Sequence, residues 1–371
     1  MSPTQIFIRL FALCLTSIPV AVGLSYLDVL MHDHLLVFII GVVVCSFVAY
    51  ISYPLIFKHL TSANRHDPYL YLFTFFAWTT IIDIQLAMTI DGHIGVLNFY
   101  LEQGERYLQS AYGSLINWWD GTVHFSLYMY ILVQLATAST ATCRDASLYY
   151  VGSIMNSLFV FLPGNVTGPY GTELKASYLL NVPFCIVPLT YLARVLSSPR
   201  SGAPHSSSSS ALHWPLRLFF FLFFSAATVF STIRVLTVFR STLPFFQWWG
   251  AEIEPFLLDT TTYPQWQATV NALYYIPFFL YAAVAMLSGR YSATLADCSV
   301  LAAGALAQGG FSLFPTVFYE RTASQFRFAP SSPYFSSVAA ANLALFLVPH
   351  LFALYVTRTL RAAPSTKAKR T

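Results

Sequence analysis

The chain has 371 residues, 56% of them hydrophobic and 9% charged, with a formal net charge of +4. Soluble domains carry about 25% charged residues, so a water-soluble globular enzyme is excluded. The basic residues are dispersed and form no stripe of the kind a nucleic acid requires. With a mean hydropathy of +0.61 and apolar runs recurring at about the 20 residues that cross a bilayer, the composition gives an all-α polytopic membrane protein.

In chain order, the first apolar run, 5–25, is long for a signal-peptide core and lacks a small-x-small cleavage site, so it reads as a retained span. Ten spans are predicted, near 5–26, 35–57, 68–90, 120–141, 146–163, 176–197, 214–239, 266–288, 294–316 and 334–357. Two longer semi-polar segments, 94–118 and 243–264, read as interfacial or re-entrant pieces. With the N-terminus in the cytosol, 13 of the 19 Lys and Arg residues fall on the cytosolic side, a positive-inside bias that returns the C-terminus there as well. The five cysteines, Cys14, Cys45, Cys143, Cys185 and Cys298, have no CxxC spacing and read as buried small hydrophobes; no metal or cofactor is expected. Residues 197–213 are Ser/Pro/Gly-rich, a flexible cytosolic linker.

The tail closes Lys367-Ala368-Lys369-Arg370-Thr371, and lysines at the third and fifth places from the end match a dilysine retrieval address for the endoplasmic reticulum. The alternative is a basic flank that closes the last span. Asn165-Val166-Thr167 is a glycosylation sequon, expected to stay unmodified because it lies against the membrane surface between Pro163 and Pro169.

A weak internal duplication organises the chain. Trp119-Asp120-Gly121-Thr122-Val123-His124 returns as Trp266-Gln267-Ala268-Thr269-Val270-Asn271, and Gly152–Pro163 matches Gly304–Pro315, placing Asn156 over Gln308. Glu102/Glu105 before Tyr107-Leu108 corresponds to Glu252/Glu254 before Phe256-Leu257. The expected parts are two N-terminal spans (1–59), repeat 1 (60–190), the linker, repeat 2 (214–355) and a basic tail (358–371).

Five residues are the candidate ligand-binding set: Asp83, Trp119, Asp120, His124 and Asn156. An ionisable group at depth faces protein or a wet cavity, so Asp83 is either a ligand-contacting acid, near a cationic centre or a sterol hydroxyl, or a carboxylate hydrogen-bonded to a neighbouring helix. Asp120 and His124 share a helix face, which suits proton transfer; alternatively Asp120 caps the helix. Asn156 is a ligand contact or interhelical glue. Glu102 and Glu105 read as surface charges.

The strings FYL-x-x-GE-x-YL-x-x-AYG, WDG-x-x-H and VGSI…V-F-x-PGN-x-x-G-x-YGT, spread over 99–172, resemble the transmembrane 6 superfamily. The repeated unit is similar to the EXPERA domain of the emopamil-binding sterol isomerase and the sigma-2 receptor. Asp83-Ile84-Gln85 resembles the receptor's Asp-Leu-Gln, which implies an apolar-ligand pocket in repeat 1. Against the isomerase, Tyr128 stands where a second glutamate belongs, so no catalytic residue is assigned; were the chain an enzyme, Asp83 and His124 would carry the chemistry. Repeat 2, with Arg234, Asn271 and Gln308 in the corresponding regions, is expected to lack an intramembrane acid and be chemically silent. The resemblance implies a membrane protein of the endoplasmic reticulum and its intermediate compartment that binds a sterol or lipid. It would regulate triglyceride-rich lipoprotein secretion and lipid-droplet content, with lipoprotein-assembly and coat proteins as partners. A sterol Δ8–Δ7 isomerase and a lipid transporter or scramblase are the alternatives.

Overall fold

The computed structural model describes residues 1–60, 63–138, 141–198, 200 and 214–362. The linker beyond Arg200 and the terminal lysines Lys367 and Lys369 lie outside these residues. Among the described residues the chain is helical without a strand, as its composition requires.

The helices of the first half are α1 (Pro3–Leu15), α2 (Ser17–Ser25), α3 (His34–Leu55), α4 (Pro68–Ile90), α5 (Asn98–Gln103), α6 (Ala111–Trp119), α7 (Phe125–Thr137), α8 (Arg144–Thr167) and α9 (Val182–Ser197). The second half carries α10 (Trp214–Val238), α11 (Pro244–Trp248), α12 (Tyr263–Val270), α13 (Ile276–Ser288), α14 (Ala293–Leu313) and α15 (Phe335–Ala362). Nine helical stretches among the described residues are long and apolar enough to cross a membrane. The predicted span at 120–141 is not among them: it is the second half of a continuous helix that begins at Ala111 and runs through a π-turn, Asp120–His124, into α7.

Polar residues at helix starts satisfy the amide groups that the first turn leaves without partners. Ser2 and Gln5 form a reciprocal box at α1, Asp33 accepts from Leu35 and Leu36 at α3, and Asp67 accepts from Tyr69 at α4. Asp67 also takes both arms of Arg194, at 2.7 and 2.6 Å, tying the start of α4 to α9. Ser110 caps α6, so Asp120, ten residues further on, is not a helix cap; it lies mid-helix.

Packing divides the chain into two compact units, Met1–Tyr150 with Asn165–Leu196, and Val151–Gly164 with Ser197–Thr371. In unit 1, Phe73 meets Tyr191 edge-on at 4.8 Å and Tyr128 lies 4.8 Å from Tyr150. In unit 2, Phe220, Phe224, Phe279 and Phe352 form a fully buried core. The middle of α8 belongs to this unit. Gly152 presses on α14 so closely that a Cβ would collide with the Leu301 carbonyl, the small-residue approach that packs helices in lipid.

Candidate functional site

The sequence-predicted residues of unit 1 converge on the π-turn. Gly121 allows it: its Cα side lies against the backbone and Cβ of Ile84, so any side chain there would push α4 away. Asp91, at the end of α4, accepts from Ser114 at 3.1 Å and from the Trp118 indole at 2.8 Å, which fixes α6 beside α4. Asp83 and Asp120 are thereby brought within electrostatic range of each other and of Glu105. π-turns inside α-helices are frequent at functional sites because the extra residue re-aims its neighbours.

His124 is buried, with 1% of its surface exposed. Its Nδ1 lies 2.6 Å from Asp120 Oδ1, and the Trp119 indole N–H donates to its Nε2 at 3.3 Å. The carboxylate therefore selects the Nδ1–H tautomer and the indole covers the remaining lone pair. One turn on, Tyr128 donates to the Tyr150 hydroxyl at 2.8 Å. Trp119, Asp120 and His124 thus form a hydrogen-bonded polar seam, with the Tyr128–Tyr150 pair packed beside His124, rather than a free acid and base.

Asp83 is different. It sits deep in the unit, yet retains accessible surface. Cys45 of α3 and Tyr100 of α5 are also half-buried and lie within electrostatic reach of it. Partly accessible side chains of α3, α4 and α5 are thus gathered around one acid.

Glu105 corrects the expectation of a surface charge. Glu102 is exposed, but Glu105 keeps only 4% of its surface and accepts from Asn181 at 2.6 Å, with Tyr100 and Tyr107 as further hydrogen-bond partners. Burial pushes its carboxyl up from 4.5 to about 7, against these hydrogen bonds, which lower it. Burial, followed by the Glu105 charge, holds the Tyr100 phenol well above its ordinary range, so it remains a donor. The burial is produced by a second segment: Lys175 reaches the Glu102 carbonyl and Gln103, Ser177 donates to the Gly104 carbonyl, and Arg106 pairs with Glu173. Its match to Glu254 in the internal duplication was the signal in the sequence. Cys45 had none, since α3 lies outside the repeat.

Asn156 is not gathered with these residues. It belongs to unit 2, where its Nδ2 donates to Gln308 Oε1 at 2.6 Å and its Oδ1 accepts from Tyr275 at 2.7 Å. Tyr275 also donates to the Ala305 carbonyl. Gln267 meets Asn156 and Asn271, so amides and a phenol saturate one another. Unit 2 also holds a buried acid, in the 243–264 segment and outside the spans to which the expectation of no acid applied. Glu254, fully buried, pairs with Arg234, which further donates to Asn342 at 2.9 Å. Among the described residues, no group of three His, Cys, Asp or Glu is placed to hold a metal ion.

The family described as "Transmembrane 6 superfamily member 2-like, transmembrane domain" matches residues 16–206. The chain belongs to this family. It is 30% identical over 296 residues to Transmembrane 6 superfamily member 2 of Mus musculus, covering 78% of this chain and 77% of the relative. The rat protein of the same name is 31% identical over 299 residues, with the same shares. The human one is 29% identical over 353 residues, 93% of this chain and 91% of the relative. No solved structure matches. The family match takes in the whole π-turn site and ends just past Arg200, whose guanidinium binds Asp297 at 2.6 Å within unit 2. In the sequon, Asn165 is helical and 1% exposed.

Proposed function

We propose that unit 1 of this transmembrane 6 superfamily protein has a hollow around Asp83, binds a sterol or other membrane lipid there and thereby regulates neutral-lipid metabolism. Its compartment in this reading is the endoplasmic reticulum and the intermediate compartment beyond it, with both termini in the cytosol. Lipoprotein-assembly proteins and tail-binding coat proteins are the partners. The observation that carries the reading is Asp83, deep in an apolar unit but still accessible, with Asp120, Glu105, Tyr100 and Cys45 around it. Carboxylates and a phenol among aromatic residues suit an apolar body that brings one hydrogen-bonding group.

Binding is favoured over proton shuttling because both nitrogens of His124 are engaged, one by Asp120 and one by an indole N–H that cannot accept a proton. The test is labelling of the purified protein in nanodiscs with photoactivatable sterol and diacylglycerol probes, followed by peptide mapping. Label is expected on α3, α4 and the 98–110 segment, with at least a tenfold loss of probe affinity in Asp83→Ala, about 1.4 kcal/mol. Label confined to unit 2, or unchanged in the variant, would sink the reading. Turnover of a Δ8-sterol by wild-type membranes, abolished by Asp83→Asn, would replace it with the isomerase.

A further inference from the structure

Unit 2 contains a site that the chain fills with its own side chain. Glu105 and Glu254 occupy the same place in the two matched segments, with nearly the same backbone angles (φ −124°, ψ 76° and φ −133°, ψ 69°), immediately before a 3-10 turn. Each is followed by a buried aromatic–leucine pair, Tyr107-Leu108 and Phe256-Leu257. In unit 1 the glutamate touches an asparagine directly, at 2.6 Å. In unit 2 a guanidinium stands between the glutamate and an asparagine. Arg234 Nε lies 3.1 Å from both Glu254 oxygens, and Nη2 binds Glu254 Oε1 and, at 2.9 Å, Asn342 Oδ1.

The surroundings are organised to receive that group. Trp249 donates to Glu254 Oε2 at 2.8 Å, fixing the carboxylate. Asn342 spends its amide N–H on the Val338 carbonyl, so its oxygen faces Arg234. The Phe230 ring lies 4.3 Å from the guanidinium carbon, on the face where an aromatic quadrupole attracts a cation. Carboxylate and amide oxygen are each oriented by a hydrogen bond of their own, and Arg234 and Glu254 are 5% and 0% exposed. This is the construction of a binding site for a planar nitrogen cation.

We propose that Arg234 is a built-in ligand: unit 2 is a guanidinium-binding site permanently occupied in cis, and shortening Arg234 opens it to small guanidinium cations. Occupancy from within closes unit 2 to external ligands and leaves ligand binding to unit 1. The proposal stands independently of what unit 1 binds.

The substitution Arg234→Ala removes the atoms of ethylguanidinium, which is therefore the probe; N-ethylurea has the same shape without the charge. Full-length Arg234→Ala in nanodiscs should unfold several degrees below wild type. About 10 mM ethylguanidinium should restore at least half of that loss by mass action on the folded state. Ethylurea and sodium chloride should restore none, and neither wild type nor Arg234→Ala/Glu254→Gln should respond. Absent rescue, or equal rescue by ethylurea or in the double variant, overturns the proposal. So does an Arg234→Ala protein that fails to fold even when produced with ethylguanidinium present.

Discussion

Glu105 and Glu254 share a backbone conformation, a following turn and a buried setting, yet they differ in partner. One is met by phenols and an amide, the other by a guanidinium. The difference shows how two similarly built units can hold a buried acid in different ways. The loop that carries the acid and the π-turn helix beyond it recur in both units. At the acid itself the difference is Arg234 on the preceding long helix, which brings a full positive charge to Glu254 in unit 2, while Glu105 meets phenols and an amide. A buried carboxylate without a cation must hold a proton or take a donor from elsewhere. Unit 1 is left responsive where unit 2 is satisfied.

The strongest way to break this comparison is to neutralise each acid in turn. Glu254→Gln strands the Arg234 charge away from water, and breaking such a pair costs about 3–5 kcal/mol. Glu105→Gln strands nothing, because an amide oxygen can still accept from Asn181. Chemical or thermal unfolding in nanodiscs at pH 8 should show a large loss for the first variant and none, or a small gain, for the second. Equal losses would mean that the two acids are structurally alike and the contrast has no energetic content.

The next effect is the pH dependence of unit 1. The Glu105 carboxyl is raised from 4.5 to about 7 in the folded protein. Between those values the folded state keeps a proton that the unfolded chain gives up. The contribution of Glu105 is therefore fully present below pH 4.5 and is lost as pH rises through 7. From this group alone, stability at pH 8 should lie up to about 3 kcal/mol below that at pH 4.5. Other groups titrate in the same range, so the quantity to read is wild type minus Glu105→Gln at each pH. A flat difference would place Glu105 in contact with water.

Much of this contrast was hidden in the sequence for identifiable physical reasons. Rules for ionisable groups in apolar runs point to Asp83, Asp120 and His124, because hydrocarbon makes any such residue conspicuous. Glu105 lies in Gln103-Gly104-Glu105-Arg106, which reads as wet surface; only the packing of residues 173–181, some 70 positions away, buries it. The same polar stretch hid the start of α6 at Ala111, although Ser110 announces it as a cap. Asn156 was placed on the correct helix, but periodicity cannot tell that the middle of α8 packs with a different unit from its ends. Arg234 is one residue in a long apolar helix, and nothing local names its partner.

The smallest test concerns the seam beside the hollow. Tyr128 lies one turn beyond His124, and its hydroxyl donates to Tyr150, with both side chains fully buried. If the seam only holds the π-turn in place, Tyr128→Phe removes one neutral hydrogen bond and costs about 1 kcal/mol. Probe binding in the hollow should then stay within about twofold of wild type, a change of about 0.4 kcal/mol. The Tyr150 hydroxyl that remains is also a donor and can turn, so no large penalty for a stranded group is added. A tenfold loss of probe affinity would instead put the Tyr128 hydroxyl in contact with the ligand and extend the hollow past His124. The measurement separates a wall that shapes the site from a group that binds in it, because the substitution keeps the ring, its packing on Phe73 and Phe76 and the helix around it.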